Sequence, residues 1–275
     1  MSQPARRRAT FAAALRVGAC LASAAGCAAP VEWRDPTAVS SVSSADARLL
    51  LDPGGLPRFV ADSPSAAVAS PSPTLCAGSL RVAPLARGTQ PVLVAVWWEP
   101  RADGSAALLA AESMDRGRSW PTRAPVDTLD RATLGCARPA PALATDDATG
   151  YAHVAYALWA PEGPGVFFAH TMPGHFMFHT PVAVAYGDRP RRVAVAASGD
   201  RVAVAYEDPN ARAPRVALAL SRTQGHVFEQ SGLEPVRTAA LQPHVALRGR
   251  TIALAWTAGE DARAGTLVRV GTIRE

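Results

Sequence analysis

Three arginines and one histidine occupy equivalent places in the sequence, each near the start of a short apolar run. They are Arg81, Arg138, Arg192 and His244. A guanidinium group binds a carboxylate through two parallel hydrogen bonds, so converging arginines would form a site for an acidic ligand. Glu99, which follows the second apolar run of the first unit, is a further ligand-binding candidate. The alternative is a set of surface residues, because all 28 basic residues of the chain are arginine.

A second group of candidate ligands lies within one short stretch. Residues 170–179 contain three of the six histidines and two of the four methionines. Alternation along an extended strand would place His175, Met177 and His179 on one face. Imidazole and thioether groups suit copper, Cu(I) in particular. The alternative is a turn with core methionines, and in that case we expect no cofactor.

Cys76 and Cys136 also occupy matching places, because each precedes the first apolar run of a repeated unit. An even pair of cysteines at such positions, in a protein outside the cytoplasm, predicts a disulfide. Two free buried thiols are the alternative.

The apolar runs themselves form a repeat that begins near residue 76. Each of four units has an apolar run, a turn with glycine, a second run that ends in Trp or Tyr, and a third run. Short alternating runs joined by glycine turns predict β-hairpins. Gly117, Gly174 and Gly225 are separated by 57 and 51 residues. A period near 50 with four strands per unit indicates the blades of a β-propeller.

The turn near Gly117 carries a denser motif, Ser-Met-Asp-Arg-Gly-Arg-Ser-Trp. Its characteristic residues are Ser113, Asp115, Gly117 and Trp120. The glycine can adopt a positive φ, the aspartate can cap backbone amides of the turn, and the tryptophan can pack beneath it. This stretch resembles the Asp box of the sialidase, or BNR-repeat, β-propellers. Residues 221–228 keep the serine, the glycine and an aromatic residue, whereas residues 170–174 keep the glycine.

The resemblance implies an all-β, sialidase-like β-propeller of four-stranded blades, of which about four are recognisable. Familiar sialidases have six. It also implies that Arg81, Arg138 and Arg192 correspond to the arginine triad that binds the sugar acid. Retaining sialidases use a tyrosine nucleophile activated by a glutamate, for which Tyr206 and Glu207 are candidates. Neighbours on a strand point to opposite faces, and the arginine-isoleucine-proline motif of the family is absent, which favours a non-catalytic role.

The N-terminal region has the features of an export signal. Residues 1–27 comprise a charged start at Arg6–Arg8, an apolar segment, and Ala24–Cys27, which resembles a bacterial lipobox with Cys27 as the lipidated residue. A cytosolic protein with an apolar N-terminal helix is the alternative. Residues 28–55, rich in Ser, Pro, Ala and Asp, are predicted to be a disordered, low-order stem, and residues 56–275 the propeller.

The fourth unit has no sequence for a fourth strand after its third run, Thr266–Val270. A ring that is left unclosed exposes strand edges that invite aggregation. We therefore expect an upstream segment to supply the missing strand, with Arg58–Ala61 as the best candidate and Arg48–Leu51 as the second.

Charge excludes one class of partner. The formal net charge is +5, but four arginines lie in the first 27 residues, which hold no acidic residue. The remainder is nearly neutral, so there is no electrostatic case for nucleic acid.

The favoured function is non-catalytic binding or scaffolding in the bacterial cell envelope. The expected partner is a carboxylate-bearing glycan or an envelope protein, and the membrane is contacted only through the lipid anchor. An exo-α-sialidase and a periplasmic copper-binding protein are the alternatives.

Overall fold

The computed structural model describes residues 29–39, 47–61, 68–87, 90–160, 163–172, 174–232, 239–259 and 265–275. Within these ranges every helix or strand element is a β-strand, and the strands pair antiparallel. No helix of the described chain has the length and apolarity needed to cross a membrane. The predicted signal and Cys27 lie outside the described residues.

Four short strands precede the repeats: β1 (Val31–Trp33), β2 (Thr37–Val39), β3 (Ala47–Leu51) and β4 (Pro57–Ala61). The first large sheet contains β5 (Arg81–Arg87), β6 (Gln90–Pro100), β7 (Ala106–Ser113) and β8 (Thr122–Asp127). The second contains β9 (Ala142–Asp146), β10 (Tyr151–Leu158), β11 (Gly165–His170) and β12 (Val182–Tyr186). The third contains β13 (Val193–Ser198), β14 (Arg201–Glu207), β15 (Val216–Ser221) and β16 (Glu229–Gly232). The fourth contains β17 (Ala240–Arg248), β18 (Thr251–Ala258) and β19 (Gly265–Ile273).

Each large sheet follows chain order, as the blade of a propeller does. The middle strands are mostly apolar because both of their faces are buried. In β6, for example, Val96 and Trp98 pack against Tyr156 of the second sheet, while Ala95 and Trp97 pack on the other side. Alternation along β6 therefore places one set of side chains against the second sheet and the other against the first sheet's own turn and the chain before β5.

The innermost strands of the sheets pack side by side around a central axis. β5 contacts β9, β9 contacts β13, and β13 contacts β17. The β3–β4 hairpin packs against β17 and β18 and takes a further position in the ring. The described part of the chain is thus an all-β propeller with four blades of four or five strands and a two-stranded hairpin beside them.

The N-terminal chain completes the fourth blade. Both β1 and β2 pair with β19, with Val31 opposite Ile273 and Thr37 opposite Val268. Gly271 permits this approach, because a Cβ atom there would lie 2.6 Å from Cγ1 of Val31. The expectation that an upstream segment supplies the strand missing from the fourth unit is therefore confirmed.

The choice of segment was wrong. Residues 58–61 and 48–51 belong to β4 and β3, which pair with each other in the hairpin. The closing strands β1 and β2 lie in the predicted low-order stem, and so does β3. The two closing strands have three residues each, too few to show an alternating pattern, and their order comes from pairing with β19.

Cys76 and Cys136 form the predicted disulfide. It closes a loop of 60 residues and joins the chain before β5 to the chain before β9. In the chain-entropy model a crosslink over that distance stabilises the folded state by about 4 kcal/mol.

The turn between β7 and β8 has the geometry that its residues predict. Oγ of Ser113 accepts a hydrogen bond from the Gly117 amide at 2.7 Å, and Gly117 has a φ of 82°. Oδ1 of Asp115 accepts from the amides of Arg118 and Ser119. The hydrogen bonds from Ser119 are the main reason that the pKa of Asp115 lies well below its usual range. Trp120 is buried and donates to the Ala69 carbonyl.

Removal of the closing strands tests their role. We expect a chain that begins at residue 40 to aggregate, or to melt at least about 10 °C below a chain that begins at residue 28, because the edge of β19 becomes exposed.

A matched pair of substitutions, followed by thermal melting, tests the contribution of β1 alone. Val31→Asp places an unpaired carboxylate at a site that is 2% exposed, whereas Glu32→Gln changes an exposed residue. Equal melting temperatures for these two variants would contradict the closure.

Candidate functional site

A central pocket of about 660 Å³ lies at the end of the propeller where the innermost strands begin. Its lining comes from the starts of β3, β5, β9, β13 and β17 and from the end of β14. The described lining residues fall in these segments: 47–49, 81–82, 139–143, 191–195, 207 and 241–245. The four large sheets and the hairpin therefore all contribute to the wall of this pocket.

The pocket is strongly positive. Its charged and titratable lining residues, among those described, are Arg48, Arg81, Arg191, Arg192, His244 and Glu207. Nη1 of Arg81 donates to the carbonyls of Gly78 and Leu80, at 3.0 and 2.8 Å, which anchors this guanidinium at the wall. The arrangement can bind an anionic group whose charge is shared among several guanidinium groups.

Two of these arginines were missed by the sequence analysis. The repeat predicts one basic residue at the start of each unit, so Arg192 was predicted and Arg191, which directly precedes it, was not. Arg48 lies on β3, outside the four units, so the repeat gave no signal for it. Arg48 lines the pocket because the hairpin packs beside β17 at the wall of the pocket.

Glu207 and Tyr206 face different environments, as alternation along β14 requires. Glu207 lines the pocket and is buried, and its Oε1 accepts a hydrogen bond from the Gln242 amide at 3.0 Å. Tyr206 packs in the apolar core with Val166 and Val204. Burial, with a further contribution from Asp208, raises the pKa of Tyr206 to about 12, against the opposing effect of Arg215.

Arg138 does not join the other arginines, contrary to the expected triad. Its guanidinium donates to Asp130 through Nε and Nη2, at 3.1 Å each, and lies 5.7 Å from the centre of the Trp98 ring. Both charged side chains are buried, so this ion pair holds the loop near Cys136 in place. The arginine precedes β9 by several residues, and its partner Asp130 compensates its buried charge.

Glu99 also lies apart from the pocket lining. Its Oε2 accepts a hydrogen bond from Nε1 of Trp97 at 3.1 Å. The contact satisfies the indole of a fully buried tryptophan, so Glu99 serves the packing of the first blade.

Three histidines meet at the other end of the propeller, where third strands end. We call His170, His179 and His226 the histidine cluster; one ring nitrogen from each lies within 4.8 Å of the others. The sequence had grouped His179 with His175 and Met177 on a strand face, and that expectation was wrong. Residues 174–176 are turn and bend residues rather than a strand, the Met172 amide donates to the Met177 carbonyl, and both His175 and Met177 are exposed.

Burial governs the protonation of two histidines at this end. It lowers the pKa of His170 to about 4, with further lowering by His179 and His226 and an opposing effect of the hydrogen bond to Thr171. His153 is fully buried beside His170 and stacks on Phe168. Burial, followed by the charge of His170, lowers the pKa of His153 to about 3. Neither ring nitrogen of His153 has a hydrogen-bond partner in the described structure.

No protein-family model matches the chain, and no curated protein matches it in sequence. The solved structures that it resembles include a Hadza microbial sialidase, at 13% identity over 68% of this chain and 43% of that chain, with a TM-score of 0.45. A xylan β-1,4-xylosidase from Bacillus halodurans matches at 11% identity over 81% of this chain and 52% of that chain, also with a TM-score of 0.45. A Trypanosoma rangeli sialidase matches at 12% identity over 81% and 39%, with a TM-score of 0.44. The chain thus spans about half or less of the length of these three proteins.

The buried His153 predicts an acid-sensitive fold. Above its unfolded pKa of about 6.5 the ring is neutral in both states, but below that pH the unfolded state binds a proton that the folded state excludes. Stability should therefore fall between about pH 6.5 and pH 3, by up to about 1.4 kcal/mol per pH unit from this residue.

We expect His153→Phe, which keeps the ring stacking, to reduce the loss of unfolding free energy between pH 7.5 and pH 5.0 by about 2 kcal/mol. Urea unfolding in metal-free buffer measures this loss. His175→Gln, at an exposed histidine, is the control and should leave the loss unchanged. The same loss in His153→Phe as in the wild type would show that His153 does not cause it.

Proposed function

We propose that this chain is a sialidase-like, BNR-type β-propeller of the bacterial cell envelope that binds a carboxylate-bearing glycan without hydrolysing it. The observation that carries the proposal is the central pocket, where Arg48, Arg81, Arg191 and Arg192 stand against the single described carboxylate, Glu207. Guanidinium groups bind carboxylates in a bidentate manner, and a pocket of about 660 Å³ accommodates one or two sugar residues.

The geometry favours binding over hydrolysis. Glycoside hydrolysis commonly uses a pair of carboxyl groups at the bond to be cleaved, or a tyrosine nucleophile in sialidases. Tyr206 is 3% exposed and packs in the core, and its raised pKa keeps the phenol neutral. The described lining offers Glu207 alone as an acid, and its Oε1 is engaged by the Gln242 amide. Scaffolding through contact with an envelope protein is the second non-catalytic role we propose.

The Asp-box assignment belongs to the same proposal. The turns that follow β7 and β15 share one hydrogen-bond pattern, in which a serine hydroxyl accepts from the glycine amide four residues later, at 2.7 and 2.9 Å. In both turns the residue before the glycine also has a positive φ, Arg116 at 64° and Gln224 at 58°. A repeated turn of this kind at the same place in two blades supports a BNR-type repeat.

Isothermal titration calorimetry with sialyllactose and with trigalacturonate tests the binding proposal, and neutral lactose is the ligand control. We expect Arg192→Ala to weaken binding of the acidic sugars by about 10- to 100-fold, because it removes a charge-assisted bidentate contact. The matched control is Arg212→Ala, at an exposed arginine outside the pocket lining. Tyr206→Phe should leave the affinity unchanged.

Two outcomes would contradict the binding proposal. The first is acidic-sugar affinity that is equal in the wild type and in Arg192→Ala. The second is turnover of a fluorogenic sialoside that is lost in Glu207→Gln, which would identify the protein as a hydrolase instead.

Attachment to the envelope is tested at Cys27. If this cysteine is lipidated, labelled palmitate should enter the wild-type protein in a bacterial host and be absent from Cys27→Ser. Cys20→Ser, at the neighbouring cysteine of the same segment, is the control and should retain the label. Labelling of Cys27→Ser at the wild-type level would remove the anchor from the proposal.

A further inference from the structure

The histidine cluster is built from two neighbouring blades. His170 ends β11, His179 follows the turn after it, and His226 lies in the turn after β15. The ring centroid of His170 lies 4.6 Å from that of His179 and 5.0 Å from that of His226. These turns lie at the opposite end of the propeller from the central pocket, because antiparallel strands alternate in direction. The cluster is therefore independent of the proposed glycan site.

Hydrogen bonds fix the orientation of two of the rings. Nδ1 of His170 lies 2.9 Å from the Thr171 carbonyl oxygen, and Nδ1 of His226 lies 2.6 Å from the Thr223 carbonyl oxygen. A carbonyl oxygen only accepts, so each Nδ1 donates its proton and each Nε2 retains its lone pair. Metal-binding histidines commonly have this arrangement, in which one ring nitrogen is held by a backbone carbonyl and the other binds the ion.

The strongest sign of an absent ligand is at His170. This residue is 3% exposed, and its Nε2 is buried without a hydrogen-bond partner in the described structure. A buried polar atom without a partner costs free energy, and a metal ion bound to its lone pair would remove that cost. The atom belongs to the side chain around which His179 and His226 gather.

We propose that His170, His179 and His226 together bind one divalent transition-metal ion, Zn²⁺ or Cu²⁺, through one ring nitrogen each. Imidazole suits both ions, whereas Ca²⁺ and Mg²⁺ require oxygen ligands. Three neutral imidazoles leave a coordination position for water. Since the three ligands are all imidazoles, the site favours a divalent ion over the Cu(I) that the His175 and Met177 grouping suggested.

The geometry requires a small adjustment on binding. Zn–N bonds of about 2.0–2.1 Å in a tetrahedral site separate the ligand nitrogens by about 3.4 Å. The nitrogens of the cluster lie within 4.8 Å of one another, so the rings must approach by up to about 1.4 Å. His226 is exposed on its turn and can make most of this movement, whereas buried His170 is the fixed point. Binding would join the second and third blades at their turns.

Calorimetric titration with ZnCl₂ and with CuCl₂ tests the site, on the metal-stripped full chain purified through a tag that lacks histidine. We expect one ion per chain, micromolar or tighter affinity, no binding of MgCl₂, and a rise of several degrees in melting temperature with Zn²⁺. His179→Gln and His226→Gln should each weaken Zn²⁺ binding at least tenfold. His175→Gln, at an exposed histidine of the same segment, is the matched control and should bind as the wild type does.

Two further measurements keep the test decisive. His170→Phe should abolish binding, and if it fails to fold, His226→Gln at its exposed position gives the same test. Histidine ¹⁵N NMR should show the Nε2 signals of His170 and His226 shifting with one equivalent of Zn²⁺. Absence of stoichiometric Zn²⁺ and Cu²⁺ binding would overturn the proposal. So would binding that His175→Gln weakens as much as His226→Gln does.

Discussion

Completion of the fourth blade by β1 and β2 is the constraint on which the rest of the structure depends. Val31 and Ile273 lie opposite each other in the pairing and are buried in the same core cluster. This contact ties the first described strand to the last, in the sheet whose innermost strand, β17, packs against β13 and the β3–β4 hairpin. Every arginine of the central pocket is on or next to an innermost strand, so the position of each depends on how those strands pack.

Antiparallel order then separates the chemistry into two ends. First strands begin, and second strands end, at the mouth of the pocket, whereas third strands end at the opposite side. The pocket end gathers guanidinium groups from several sheets, a combination that suits anions. The opposite end gathers imidazoles from adjacent turns, which suits metal ions. Neither end needs the other, because the apolar blade interfaces lie between them.

Features that repeat were predictable from the sequence, and features that depend on pairing with distant segments were not. The apolar runs, the turn at Ser113 and the disulfide could all be inferred, because each leaves a local or periodic pattern. β1 left none, since three residues become a strand only when β19 is beside them. The hairpin that carries Arg48 likewise lacks the pattern of the four units, so its place in the ring was not foreseen.

The residues of the candidate site show the same difference between repeated features and features that depend on distant segments. Arg192 and Glu207 reach the pocket because their positions in the repeat fix their direction. Arg138 occupies a corresponding place in the sequence, but Asp130 from a preceding loop binds its guanidinium. The repeat predicts where a side chain lies along its strand. The direction of the charged group also depends on ion-pair partners such as Asp130, which are not part of the repeat. The histidine cluster was missed for a similar reason, since His170 and His226 are 56 residues apart in different blades.

The turns after the third strands explain how a histidine can occupy a position that a capping serine holds in two other blades. After β7 and β15 the serine hydroxyl caps the glycine amide, so that side chain is committed to the turn. His170 is the last residue of β11, the position that Ser113 and Ser221 hold in β7 and β15, but backbone hydrogen bonds hold the turn that follows it. The His179 amide donates to the His170 carbonyl at 3.0 Å, and Met172 bonds to Met177 at 2.7 Å. Once the backbone stabilises the turn, the side chain at this position is released from capping, and its ring nitrogen becomes available to a ligand.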